Sequence, residues 1–411
     1  MPGAAIGVLQ QGTAMTAYFG VADVTTGDPI TAKTCFSIGS LTKSMVATVI
    51  ARLAEANRLS LDDPLRQHVR ELRRARWAEG ATLRDLLANR SGLPLSAGLE
   101  FDFASRSDGD DGALSRLVAD IPVDQPGTTL WSYTNVGWCV LGRVIETTAG
   151  VTWEDAMQRH LFDKAGMRDT VFAYDNSIRK PRARGHVIKT NGPVPVAPIV
   201  TRAYGPAGTS VLSTVTDLLR FAALHLDDPS LVALRRVHAE VPIYAWLDSW
   251  CLGWAWFNWP GGQVWGWDGL ISGERSVCRI VPEHRAAVVL MTNSSTGRAM
   301  YRSLFADLMD SLFGISVPPL RLECSIEDSD LLRFAGLYGW PDQQITVEAT
   351  KRGLVIKSER NETEALPLDE RTFLVDSLDP DNPTVTFGAF DERGRPRVIY
   401  RMLWGLPRLD V

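Results

Sequence analysis

The stretch Phe36-Ser37-Ile38-Gly39-Ser40-Leu41-Thr42-Lys43-Ser44-Met45 opens a run in which Leu41, Met45, Val46, Val49, Ile50 and Leu53 recur at three- and four-residue steps. That period predicts a helix from near Ser40 toward Asn57, buried on at least one face. Residues three apart on a helix share a face, so the Lys43 amine can reach the Ser40 hydroxyl. A serine hydroxyl is a weak nucleophile at neutral pH and needs a neighbour to take its proton. A lysine serves only where burial or another cation lowers its pKa. The helix N-terminus adds free N–H groups and partial positive charge, which favour the oxyanion formed when a carbonyl is attacked. Taken alone, the same spacing also fits an N-cap serine followed by a solvated lysine, so the rest of the chain decides.

The chain has 411 residues, 45% of them hydrophobic and 22% charged, with a net charge of −5. That is about two to three domains' worth of material with a sizeable core. The composition excludes a long disordered chain and offers no basic surface for nucleic acid. No apolar run reaches the roughly 18 residues of a membrane span, so no membrane contact is expected. The opening Met1 to Leu9 lacks the basic start, apolar core and cleavage site of a secretion signal, and the expected location is the cytoplasm. Five scattered cysteines (Cys35, Cys139, Cys251, Cys278, Cys324), without a Cys-x-x-Cys pair, read as buried thiols. The histidines show no ligand spacing and there is no phosphate-binding glycine loop, so neither metal nor cofactor is expected.

Around Gln10-Gln11-Gly12, residues 4–9 and 15–21 predict a hairpin that leads to the Ser40 helix and sets it against a sheet. Leu83 to Pro94 predicts a short helix stopped by Gly92 and Pro94, and Ser105 to Gly112 a surface loop. Pro126 to Gly150 predicts a turn that presents Trp131, Ser132, Tyr133 and Asn135 just before a buried helix ending at Gly150. A loop at Tyr204 to Ser210 precedes a capped helix start at Ser213 to Leu219. Seven tryptophans (246, 250, 254, 256, 259, 265 and 267) crowd one stretch followed by Asp268-Gly269-Leu270; such a cluster packs between strands or walls a cleft. Strands at 274–280 and 286–292 and a helix near 300–313 follow. After a linker at Ser316 to Leu320, short alternating strands (345–349, 354–357, 372–375, 384–387 and 397–401) predict a separate small all-β barrel.

Together these motifs resemble the serine β-lactamase-related family of class C β-lactamases, D-alanyl-D-alanine carboxypeptidases, D-aminopeptidases, esterases and some acyltransferases. Ser40-Leu41-Thr42-Lys43 is similar to its first motif and Tyr133-Thr134-Asn135 to its Tyr-x-Asn. Trp267-Asp268-Gly269 stands where the family has His-x-Gly or Lys-Thr-Gly. The resemblance covers roughly residues 2–315, and the β tail is similar to a lipocalin-like barrel. It implies an α+β fold, with a β-lactamase/transpeptidase-like domain over 1–317 (an antiparallel sheet flanked by helices plus a helical subdomain) and a barrel over 323–411. It further implies that Ser40 attacks the carbonyl, Lys43 accepts its proton, Tyr133 shares or relays it and Asn135 orients the substrate amide or Lys43. The Ser40 and Leu270 N–H groups would hold the oxyanion, with Trp267, Asp268 and Gly269 beside the substrate. An indole carries no charge, so the usual partner of a substrate carboxylate is missing. The expected activity is therefore a serine esterase or amidase/peptidase acting on a small ester, amide or peptide with an apolar or aromatic acyl group. The alternatives are an acyltransferase or peptide-cyclising thioesterase and, in another class, a non-catalytic ligand-binding protein.

Overall fold

The computed structural model describes residues 1–93, 112–124, 130–175, 179–243, 247–318, 331–340, 343–359, 361–375 and 384–410. The first hairpin forms as its pattern predicts. Gly3–Gln10 pairs antiparallel with Thr13–Gly20, and Gln11 and Gly12 both take positive φ, as a two-residue turn between right-twisted strands requires. An eight-stranded sheet follows in the order Thr13–Gly20, Gly3–Gln10, Ala286–Thr292, Glu274–Val281, Gly262–Ile271, Ala255–Trp259, Leu247–Trp250, Ala239–Ile243. Each neighbouring pair is antiparallel.

The two predicted central strands are covered on both faces, which is why Ala286–Thr292 is buried at every position. On one face Gly7 lies against Val215 and Leu219 of the helix Val215–Asp227, and Ser276 holds the turn that leads into helix Thr42–Glu55. On the other, Arg279 lies under Phe305 of helix Gly297–Phe313. Helix Thr42–Glu55 packs on helix Asn135–Ala149, and Ser44 Oγ donates to Gly253 O, between strands Leu247–Trp250 and Ala255–Trp259, at 2.6 Å; Met45, Val46, Val49, Ile50 and Leu53 are all buried. The predicted helix start differs in one respect. A 3-10 turn, Gly39–Leu41, precedes the α-helix, and no side chain caps either; Ser40 therefore sits inside the turn rather than at an N-cap.

Gly150 ends helix Asn135–Ala149 in the left-handed region at φ 72°, as the sequence predicts, and Thr134, which the sequence did not single out for this role, caps its start. Helix Leu83–Leu87 ends earlier than expected. Asn89 adopts φ 54°, and the Arg90 N–H donates to Asp85 O at 2.7 Å, closing the helix before Gly92 is reached. The expected loop from Ser105, Pro126, Trp246, Cys324 and the second half of the linker lie outside the described residues. No helix among the described residues is long and apolar enough to cross a membrane.

The C-terminal unit is a nearly closed antiparallel barrel of eight strands, each paired to the next. The Leu409 N–H donates to Leu337 O at 2.8 Å and links the last segment to the first. Three of its strands, Gly336–Trp340, Glu362–Pro367 and Trp404–Pro407, were not predicted. They carry glycine or proline, which lower strand propensity, and their ladders hold them instead. The barrel has its own core around Phe334, Tyr338, Phe373, Phe387 and Ile399. Strand Pro396–Arg401 also faces outward, and there Val398 and Tyr400, with Leu403 beyond, join the core of the first unit.

Candidate active site

Lys43, one turn after Ser40, is fully buried, and the burial that a lysine base needs is therefore present. Its Nζ donates to Ser40 Oγ at 3.0 Å and to the Ala207 carbonyl at 2.5 Å. The Tyr133 ring centroid lies 5.1 Å from the same nitrogen. Sequence reasoning missed the Ala207 carbonyl, because a backbone acceptor leaves no residue signature. The loop bearing it reaches Ser40 through Gly208, at φ 127°. A Cβ on Gly208 would stand 2.4 Å from the Gly39 carbonyl oxygen and 2.8 Å from Ser40 N.

The Ser40 turn is braced from the sheet. Ser276 Oγ donates to Ile38 O at 2.7 Å and the Ile38 N–H donates to Val211 O at 3.1 Å. Strand Gly262–Ile271 pairs with Ala255–Trp259 only as far as Gly266. Beyond it, Gly269 and Leu270 lie directly under the turn, and a Cβ on Gly39 (φ 54°) would stand 2.7 Å from Leu270 N. The backbones of Ser40 and Leu270 thus converge where the motif order implies an oxyanion would sit.

Tyr133 and Trp267 close one side of this arrangement. Their ring centroids are 5.6 Å apart, and Trp250 stands edge-on to Trp267 at 4.7 Å. Much of the tryptophan cluster is packing: Trp250 and Trp254 are sealed in the core, and Trp250 and Trp267 back the tyrosine. The Trp267 Nε1 is buried with no acceptor among the described residues. Asp268 does not join them, because successive strand residues point to opposite faces. Its carboxylate accepts from Arg279 Nη1 at 2.6 Å, on the Phe305 side of the sheet. Asn135 occupies the first position of its helix. Asn89, which the sequence did not single out, supports the tyrosine turn. Its carbonyl accepts from the Ser132 N–H at 3.0 Å and its Oδ1 from Trp138 Nε1 at 3.2 Å. Cys35, near in sequence, is buried, and burial pushes its thiol up to about 12, so it is no competing nucleophile.

Glu274 was also missed. It is buried beside the strand that leads to Ser40, and its Oε1 accepts from the Ser37 N–H at 3.1 Å. Burial pushes its carboxyl up from the ordinary 4.5 to about 7, against the lowering effect of Ser37 and Arg182. Through that window the folded protein keeps a proton that the unfolded chain has released, so stability falls as pH rises from 4.5 to about 7 and levels off above it. Glu274→Gln keeps the acceptor and loses the charge. It is expected to be more stable than the wild type by about 3 kcal/mol above neutrality, with the difference vanishing near the ordinary carboxyl range. Thermal unfolding of both proteins from acid to alkaline pH checks this; parallel curves would refute it.

The Beta-lactamase family model matches residues 1–308. Penicillin-binding protein 4 of Amycolatopsis lactamdurans is 31% identical over 340 residues, covering 77% of this chain and 87% of that protein. The crystal structure of SurE superposes with a TM-score of 0.83 at 25% identity, covering 99% of this chain and 95% of that one. A class C β-lactamase from Rhodobacter sphaeroides shares the fold of the first unit, with a TM-score of 0.61 at 23% identity over 76% of this chain and 95% of its own. By its motifs, its fold and these matches, the chain belongs to the Beta-lactamase family, the serine hydrolases that include the penicillin-binding proteins and class C β-lactamases.

Proposed function

We propose that the protein opens an ester or amide bond of a small substrate by transferring its acyl group to Ser40. The observation that carries this reading is the contact between the buried Lys43 Nζ and Ser40 Oγ. In it Lys43 accepts the Ser40 proton as Oγ attacks the carbonyl carbon, and the N–H groups of Ser40 and Leu270 hold the oxyanion. Tyr133 passes a proton to the departing oxygen or nitrogen, and Asn135 orients the substrate. Water then attacks the acyl-enzyme and releases the acid, so that one hard displacement is split into two easier ones. The apolar wall of Trp267, with the buried Trp250 behind it, supports an apolar or aromatic acyl group, and the Trp267 N–H supplies a neutral donor in place of the family's cation.

A second reading, acyl transfer to an amine or hydroxyl, draws on the same wall, because a dry site slows attack by water. Intact-protein mass after mixing wild type and Ser40→Ala with a fluorophosphonate, p-nitrophenyl esters of graded length, a β-lactam and a D-amino-acid amide tests both. An adduct on the wild type and not on Ser40→Ala is expected. Decay of that adduct in buffer supports hydrolysis, and decay only with an added amine supports transfer. A folded protein that no reagent labels, yet whose melting temperature rises with ligand, would overturn both in favour of a binding protein.

A further inference from the structure

The tip of the last barrel hairpin reaches the tyrosine turn. Strands Pro396–Arg401 and Trp404–Pro407 are joined by the two residues Met402 and Leu403, with Arg401 opposite Trp404. Met402 takes φ 55°, which makes this a tight connection. Two main-chain groups of the tip point out of the barrel. The Leu403 carbonyl accepts from the Tyr133 N–H at 3.1 Å, and the Gly405 N–H donates to Ser132 Oγ at 3.1 Å. Gly405 also touches the turn itself, since a Cβ there would stand 2.8 Å from Trp131 O. Rings seal the contact: Trp404 stands edge-on to Tyr133 at 6.4 Å, and Tyr400 edge-on to Trp131 at 5.8 Å. Leu403 is buried in the core of the first unit.

Neighbouring amides of the turn are thus held from opposite sides, Ser132 by Asn89 within the first unit and Tyr133 by Leu403 from the barrel. Where the tyrosine stands over Lys43 depends on both. We propose that the hairpin tip Leu403-Trp404-Gly405 is a positioning element that sets Tyr133 for proton transfer, so that the barrel is part of the working active site and not only an appended domain. This rests on the role given to Tyr133 above. The chemistry makes that role separable. An amine or alkoxide must be protonated as it leaves, whereas p-nitrophenolate and fluoride depart as anions with little help. Moving Tyr133 therefore penalises poor leaving groups far more than good ones.

The test uses full-length Ser132→Ala, which removes the acceptor for the Gly405 N–H, and Gly405→Ala, which drives the tip off Trp131 O. Tyr133→Phe is the reference. For each, kcat and KM are measured on an amide or alkyl ester and on the p-nitrophenyl ester of the same acyl group, with the rate of Ser40 labelling by a fluorophosphonate. The expected result for the hairpin variants is a loss of about tenfold to a hundredfold in kcat on the poor leaving group. KM, p-nitrophenyl ester turnover and labelling rate stay within about threefold, the same selectivity as Tyr133→Phe at smaller amplitude. An equal loss on every substrate, or no loss, overturns the proposal and leaves the hairpin a packing contact. Should Gly405→Ala fail to fold, Ser132→Ala decides, because it introduces no clash. A wild type that the fluorophosphonate does not label at Ser40 would instead sink the acyl-enzyme reading, and this proposal with it.

Discussion

Ser40→Ala and Lys43→Met are each expected to lower kcat/KM by about a thousandfold or more, and the double variant to be scarcely worse than either. Non-additivity is the informative part. If Lys43 acts by taking the proton from Ser40 Oγ, 3.0 Å away, then removing the hydroxyl leaves the amine nothing to do, and the second loss is already contained in the first. Methionine is chosen because Lys43 is fully buried: it keeps the stem volume that alanine would turn into a cavity. The two substitutions should part company in stability. Ser40 is half-buried, so its alanine variant should melt close to the wild type. Lys43→Met leaves the Ala207 carbonyl without the donor it has in Lys43, a loss of about 1–3 kcal/mol. Steady-state turnover of a p-nitrophenyl ester with thermal unfolding checks both halves. Lys43→Met within tenfold of the wild type would mean that another group takes the proton, and losses that multiply in the double variant would mean that the two residues act separately.

The elements that the sequence predicts well are those whose signal is local. The helix after Ser40 reads from its apolar period, the stop of Asn135–Ala149 from Gly150, and the first hairpin from Gln11-Gly12. The Ser-x-x-Lys pair is local too, since its geometry follows from one turn of helix. What escaped is whatever depends on chain contacts far apart in sequence. Ala207 supplies only a carbonyl, and Leu403 another, and neither needs its side chain for that contact. Asn89 lies in a helical stretch whose stop signals are Gly92 and Pro94, and only the fold brings its backbone and side chain to the tyrosine turn. Glu274 looks like a polar strand end; its burial comes from the approach of Ser37, more than two hundred residues earlier. Asp268 shows the opposite error. Its place in a motif beside Trp267 and Gly269 suggested a shared role, but strand alternation sends its carboxylate to Arg279. The three unpredicted barrel strands fail by propensity and succeed by pairing.

Gly269→Ala is expected to reduce turnover by about a hundredfold to a thousandfold while the protein still folds, at a cost in stability of about 1–3 kcal/mol. The argument is steric. A Cβ at this position would stand 1.8 Å from Ile38 O and 2.5 Å from Ser276 Oγ. Ser276 meets it only with a side-chain hydroxyl, but Ile38 O is backbone, and it belongs to the residue before the turn that carries Ser40. The methyl group can be accommodated only if the turn lifts from the strand or the strand sinks, and either motion separates the Ser40 and Leu270 N–H groups that the proposed oxyanion needs. Donors displaced by a fraction of an ångström lose much of their advantage over water, because their worth lies in being fixed beforehand. Gly27→Ala is the control, since Gly27 has positive φ, at 74°, but nothing within 4 Å of its would-be Cβ. It should destabilise by about 1 kcal/mol through the left-handed backbone alone and leave turnover intact. The decisive comparison is kcat against melting temperature for the two variants. Equal loss of stability with loss of kcat only in Gly269→Ala would tie the strand under Ser40 to the chemistry. Unchanged kcat in a folded Gly269→Ala would mean that the oxyanion is held elsewhere.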